Sequence, residues 1–228
     1  PEADALYLND GNGHFTPVQN EPGRFLNESG RPIPPPRDWG LAVVFRDLNG
    51  DGFPDLIVSN DYASPDRFWL NDGRGHFRAM SPLKIRHTGF NSMGIDVADV
   101  NRDGVDDVFI VDLLATHHER RQRQVSKTPP DPRALNNPIG RPQFNRNMLV
   151  LGHTDGGYSE SALMSGIAAS NWSWSPIFLD VDLDGYEDLL ISNGFEFDLM
   201  DQDTHDRLRD PKRRLNREQS KRWMQFAP

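Results

Sequence analysis

The sequence predicts an all-β protein, a β-propeller built of four-stranded antiparallel blades, and three observations predict it. A nine-residue acidic loop occurs three times. Each copy stands between two short apolar runs of strand character. A second turn, rich in Gly, recurs after the acidic loop, so one repeating unit carries two different hairpin connections.

The acidic loop reads D-x-[DN]-x-D-G-x-x-D and spans 47–55, 99–107 and 180–188. Side-chain oxygens stand at loop positions 1, 3, 5 and 9. They are Asp47, Asn49, Asp51 and Asp55, then Asp99, Asn101, Asp103 and Asp107, then Asp180, Asp182, Asp184 and Asp188. Gly52, Gly104 and Gly185 at position 6 permit the sharp turn, since Gly takes positive φ cheaply. The backbone carbonyls of Phe53, Val105 and Tyr186 at position 7 complete the expected protein ligands. Oxygen donors in this order wrap a hard divalent cation, so the loops predict about three calcium ions. An EF-hand would need a Glu at position 12 and a helix on each side. Position 12 is Val58, Ile110 and Ile191 instead.

The flanks read as strands. Leu56–Val58, Val108–Val111 and Leu189–Ile191 are apolar and short, as strands buried on both faces are. Ahead of each loop, small residues alternate with bulky ones: Gly40 and Ala42, Ser92 and Gly94, Ser173 and Ser175. Alternation puts the small ones on one face, where a neighbour packs closely. Those strands are expected nearest the propeller axis, and the apolar strands that follow are expected to be sandwiched between blades.

Leu6–Phe15 and Phe68–Phe77 share the second turn, Asn-Asp-Gly-x-Gly-His-Phe, and Met148–Tyr158 is a degenerate copy. His14 and His76 recur through this repeat and are not read as catalytic. The whole unit is strand, cation loop, strand, connection, strand, Gly turn, strand, which is one blade. At about 50 residues per blade the chain holds about three to four. It is read as part of a longer protein, with the rest of the propeller as its partner.

Three segments depart from the unit. Residues 21–38 are Pro-rich and are expected to be irregular. Residues 113–145 are an insertion, helical near His117-His118 and then Pro-rich, expected on the exposed rim and suited to partner contacts. Adjacent helical residues point apart, so the two His read as a solvated face rather than a metal site. Residues 196–228 leave the β pattern for a polar, helical C-terminal extension. The propeller domain is therefore placed at 1–195.

Composition narrows the function. Net charge is −9, from 34 acidic and 25 basic residues. Three divalent ions would bring it to −3, so the acidity is largely ligand charge, with no nucleic-acid-binding balance. No Cys is present, which excludes disulfides, thiol catalysis and zinc–cysteine sites. No transmembrane run stands out. Ser-His-Asp order, phosphate loops and Rossmann Gly patterns are lacking.

The D-x-[DN]-x-D-G-x-x-D loop between strands, paired with the N-D-G-x-G-x-F turn, resembles the FG-GAP/VCBS repeats of integrin-α-like β-propellers. Ser92-Met93-Gly94, Arg146–Leu149, Asn171–Ser175 and Ile191–Gly194 bring it closest to the subfamily of cartilage acidic protein, associated with the ASPIC/UnbV domain. The resemblance covers about residues 1–200 and implies calcium in the loops. No segment looks like the ASPIC/UnbV domain itself. The function expected is a non-enzymatic, calcium-stabilised adhesion or recognition module, extracellular, periplasmic or on the cell surface, binding protein or carbohydrate. The alternative is a propeller-based polysaccharide lyase or hydrolase. That would need a catalytic group set outside the cation loops.

Overall fold

The protein is described from a computed structural model over residues 4–18, 23–62, 64–124, 141–194 and 201–202. The chain divides into two compact units. The larger holds Pro1–Leu114 and Pro130–Gly194, and the smaller holds Ala115–Pro129 and Phe195–Pro228.

The larger unit is all-β. It opens with a hairpin of β1 (Tyr7–Asn9) and β2 (Phe15–Pro17). A six-stranded sheet follows, built from β3 (Phe25–Leu26), β4 (Pro32–Ile33), β5 (Gly40–Arg46), β6 (Asp55–Asn60), β7 (Arg67–Asn71) and β8 (Phe77–Ala79). Its order is β4-β3-β8-β7-β6-β5, so β5 to β8 form an antiparallel meander. After β9 (Thr88–Gly89), a second meander runs through β10 (Gly94–Ala98), β11 (Asp107–Val111), β13 (Met148–Gly152) and β14 (Tyr158–Glu160). β12 (Gln143–Phe144) pairs in parallel with β9. Last come β15 (Ser173–Leu179) and β16 (Asp188–Asn193), an antiparallel pair. The acidic loops join β5 to β6, β10 to β11 and β15 to β16, as the alternation implied.

Two cores explain why β11 is apolar at every position after Asp107. Val108 and Ile110 face a cluster with Ile57, Phe68, Ile95, Met148 and Val150. Phe109 and Val111 point the opposite way, into a cluster with Leu149, Ala162 and Ala168 that Phe178, Leu189 and Ile191 join. A strand alternates its side chains, so burial on both sides demands an uninterrupted apolar run. β6 and β11 are buried throughout. β10 has β5 and β15 for neighbours, so the first strands of the three repeats lie side by side. Gly94 is needed there, because a Cβ would stand 2.5 Å from the Trp174 carbonyl oxygen and 2.9 Å from Pro176 Cδ.

Four expectations need correction. β16 is not sandwiched: Leu190 is 65% exposed, because β15 is its one strand partner among the described residues. The stretch 21–38 is not wholly irregular. β3 extends the first sheet through parallel pairing with β8, and Phe25 is drawn there by ring contacts with Trp69 and Phe77. The insertion 113–145 is not all rim. Arg141 is 5% exposed, and its guanidinium donates to the carbonyls of Ile85 and Met80, each at 2.7 Å. Nor are Ser92 and Ser173 there for smallness alone, as their hydroxyls are hydrogen-bonded.

In the smaller unit, α1 (His118–Arg123) is the helix expected near His117-His118, and it buries no residue. Gln124 bridges to Asp201, and Arg121 donates to the Ala115 carbonyl. The Pro-rich part of the insertion, 125–140, and the proposed tail beyond 202 lie outside the described residues.

Candidate metal centres

Each acidic loop is held by one hydrogen-bond scaffold, repeated three times. The position 1 carboxylate accepts from the backbone N–H groups at positions 5 and 6. Asp47 takes those of Asp51 and Gly52 at 3.1 and 2.7 Å, Asp99 those of Asp103 and Gly104 at 3.0 and 2.9 Å, and Asp180 those of Asp184 and Gly185 at 3.0 and 2.9 Å. The position 3 oxygens of Asn49, Asn101 and Asp182 accept from the N–H at position 5. The position 5 carboxylates of Asp51, Asp103 and Asp184 accept from the N–H at position 7. These bonds fold each loop into a tight turn closed by its own ligand side chains. The carbonyl-bearing residues Phe53, Val105 and Tyr186 close the same turn.

Position 9 is anchored differently. Asp55 accepts from Leu48 and from Asn71 across the sheet, at 2.9 and 2.8 Å. Asp107 accepts from Val100 and from Gly152, both at 2.9 Å. Asn71 and Gly152 end equivalent third strands, so these carboxylates also staple the loop to its sheet. Asp188 accepts from Val181 at 3.0 Å.

The sequence did not reveal what happens at position 4. Gly50, Arg102 and Leu183 all have positive φ, at 74°, 61° and 62°. The position 6 glycines follow at 85°, 87° and 92°. Two left-handed residues per loop are required, and only the second is always Gly. A left-handed L-residue costs on the order of 1 kcal/mol, which the scaffold bonds offset.

The donor set fits a hard cation. In the third loop, oxygens of Asp180, Asp182 and Asp188 lie within 4.8 Å of one another. Burial pushes Asp55 up to about 6, and the Asp51 and Asp47 carboxylates push it further in the same direction, against the hydrogen bonds from Asn71 and Leu48. Asp107 is raised for the same reasons, with Asp103 and Asp99 as its neighbours. Mutual repulsion among acceptor-only groups is what a bound divalent ion removes.

At the opposite end of the strands lies a set of polar ties that sequence reasoning missed. Asp66 precedes β7 and accepts from the Asn60 N–H at 2.9 Å. Asn147 precedes β13 and accepts from the Asp112 N–H at 2.8 Å. Each then reaches the following repeat: Asp66 accepts from the Ser92 hydroxyl at 3.0 Å, and the Asn147 amide donates to the Ser170 hydroxyl at 2.7 Å. Asp112 accepts from the Phe90 and Asn91 N–H groups, both at 2.9 Å. Burial raises Asp66 to about 7 and Asp112 to about 6, in part against these bonds. The available signal was positional, since Asp66 and Asn147 stand immediately before matching strands.

The expected equivalence of His14 and His76 holds in geometry. Each sits in the Gly-rich turn beside an aspartate four residues earlier, His14 3.4 Å from Asp10 and His76 2.8 Å from Asp72.

Comparison with known proteins places part of this pattern. Residues 1–58 and 47–110 match the FG-GAP-like repeat family. Over 83 residues the chain is 34% identical to integrin alpha-7 of Homo sapiens, a match that covers 32% of this chain and 7% of that protein. Integrin alpha-7 of Mus musculus is 32% identical over 83 residues, with the same coverage. The chain thus spans a small part of these relatives. The third loop lies beyond the matched family residues, and its kinship with the other two is carried by the shared scaffold. Repeats of the FG-GAP, integrin-like kind are what the family match, the relatives and the recurring loop together support.

Proposed function

We propose that the chain is a calcium-stabilised β-propeller segment of an extracellular or cell-surface adhesion or recognition protein, which binds protein or carbohydrate without catalysis. The observation that carries this is the threefold loop scaffold. Its ligands would be Asp47, Asn49, Asp51, Asp55 and the Phe53 carbonyl; Asp99, Asn101, Asp103, Asp107 and the Val105 carbonyl; and Asp180, Asp182, Asp184, Asp188 and the Tyr186 carbonyl. A bound ion would neutralise the clustered carboxylates and lock each first hairpin. Each loop joins two strands of one sheet rather than two mobile helices, which suits a structural ion over a calcium switch.

The two meanders are the proposed blades, and the adjacent first strands β5, β10 and β15 suit convergence on an axis. Residues 1–195 would form the repeat domain, with 196–228 a polar extension. The finer kinship to cartilage acidic protein belongs to this proposal too. An open cleft of about 360 Å³ against β5 has Leu41, Val43, Phe45, Val58 and Trp69 among its lining residues. Asp4, Arg24 and Arg67 are its ionisable groups, a poor set for the paired acid and base that glycoside hydrolysis requires. No described helix is long and apolar enough to cross a membrane.

The test is thermal unfolding with calcium and with excess chelator. An ion of roughly 0.1–1 mM affinity at about 10 mM calcium stabilises by about 1–3 kcal/mol per site. Chelation should therefore lower the melting temperature by several degrees, and calorimetric titration should show about three sites. An unchanged melting temperature together with no binding heat would sink the reading.

A further inference from the structure

Arg102 occupies position 4 of the second loop, between Asn101 and Asp103, with its backbone left-handed. Its side chain crosses to the third loop. One guanidinium nitrogen donates to the Gly185 carbonyl and lies 3.2 Å from a Glu187 carboxylate oxygen. The guanidinium carbon stands 5.8 Å from the centre of the Tyr186 ring. One side chain therefore holds three consecutive residues, at positions 6, 7 and 8 of the third loop.

Those residues frame the third cation site. The Gly185 N–H is bonded to Asp180 at 2.9 Å, and the Tyr186 N–H to Asp184 at 2.8 Å. The peptide between Gly185 and Tyr186 is thus gripped on both edges, with its carbonyl held by Arg102 and its N–H by Asp184. The next carbonyl along, that of Tyr186, is the one offered to the ion. A guanidinium near a cation site would repel the ion, but Glu187 offsets its charge. The preceding pair of repeats is joined differently, by the Tyr158 hydroxyl, which donates to the Leu48 carbonyl of the first loop at 2.8 Å. Arg46 approaches Asp106, at position 8 of the second loop, at 3.4 Å, and its guanidinium donates to the Val97 carbonyl, outside the loop, at 3.4 Å. At position 8 of the first loop stands Pro54.

We propose that Arg102 is a positioning residue that couples the second and third cation sites, so that filling the second loop tightens binding in the third. This rests on the calcium reading above. An ion bound to Asn101 and Asp103 fixes the backbone on both sides of Arg102. The fixed guanidinium then holds the third loop in its binding shape, so that less ordering remains when the third ion arrives. Linkage makes the effect reciprocal.

Terbium is the probe, because Tyr186 is the one Tyr or Trp within the three loops and can sensitise an ion bound beside it. Tyr186→Phe identifies the signal that arises elsewhere. Asp99→Asn disables the second loop, and Asp103→Asn repeats the test should Asp99→Asn fail to fold, as judged by circular dichroism. The expected result is that disabling the second loop weakens the Tyr186-sensitised site about fivefold or more. In Arg102→Ala and in Glu187→Gln backgrounds the same change should shift it by less than about twofold. An unchanged third site in the otherwise native chain, or an equal loss in all backgrounds, would overturn the coupling while leaving calcium binding intact. No sensitised terbium and no calcium heat in the native chain would overturn the cation reading and the coupling with it.

Discussion

Ile57, Phe109 and Leu190 stand at the same place in three repeats, ten residues after the first acidic ligand. Ile57 and Phe109 are 0% exposed, whereas Leu190 is 65% exposed. The loops ahead of them share one hydrogen-bond scaffold. Local sequence therefore suffices to shape the loop, which closes on its own backbone within nine residues. Burial of the strand that follows depends on what lies beside it. β6 and β11 each have a strand partner on both edges and packing on both faces, and β16 has β15.

The sharpest test of that contrast is truncation. Phe109→Ala should cost about 3–5 kcal/mol in chemical denaturation, and Leu190→Ala less than about 0.5 kcal/mol. Similar losses would mean that the third repeat is covered in solution as the second is. Next in size is the position 9 carboxylate. Asp107→Ala strands the N–H groups of Val100 and Gly152 and should cost about 2–4 kcal/mol without calcium. Asp188→Ala, whose carboxylate takes the N–H of Val181 at an exposed site, should cost about 1 kcal/mol or less.

The two junctions between repeats differ in how they titrate. The first uses Asp66 and the second Asn147 at the same position. Asp66 is raised in the folded state to about 7, above the ordinary carboxylate value near 3.9. The folded chain thus holds this proton more tightly than the unfolded chain. Its stabilising contribution is full below about pH 4 and is lost as pH rises through about 7, a decline on the order of 4 kcal/mol. Asp66→Asn should flatten much of that slope in chelator, leaving the parts due to Asp112, Asp55 and Asp107. A slope that Asp66→Asn leaves untouched would assign the titration elsewhere. The smallest expected effect is at loop position 4. Leu183→Gly should stabilise by up to about 1 kcal/mol, and Gly50→Ala should destabilise by a similar amount.

The sequence made the hairpins, the loop ligands and the alternation of the first strands legible, because each follows from a period of two or from a turn that closes within a few residues. It hid whatever depends on a neighbour. Arg102 reads as an exposed loop residue until the third loop is seen beside it. Asp66 reads as a turn residue, although it accepts a hydroxyl from Ser92 across the junction. Arg141 sits in a stretch of low hydrophobicity, and its burial comes from two carbonyls some 56 and 61 residues away. The exposure of Leu190 was hidden for the same reason, since nothing in Leu189–Ile191 distinguishes a covered strand from an uncovered one.

The ties between consecutive repeats have a mechanical consequence. Arg46 with Asp106, and the Tyr158 hydroxyl on the Leu48 carbonyl at 2.8 Å, join the first repeat to the second at the loop end. Asp66 and Ser92 join them at the far end. Arg102 and Asn147 do the same for the second and third repeats. A repeat fastened at both ends of its strands cannot be peeled away from one side, one bond at a time. Pulling it off loads both rows and the apolar layer between them together, so rupture is a shearing event with a high threshold.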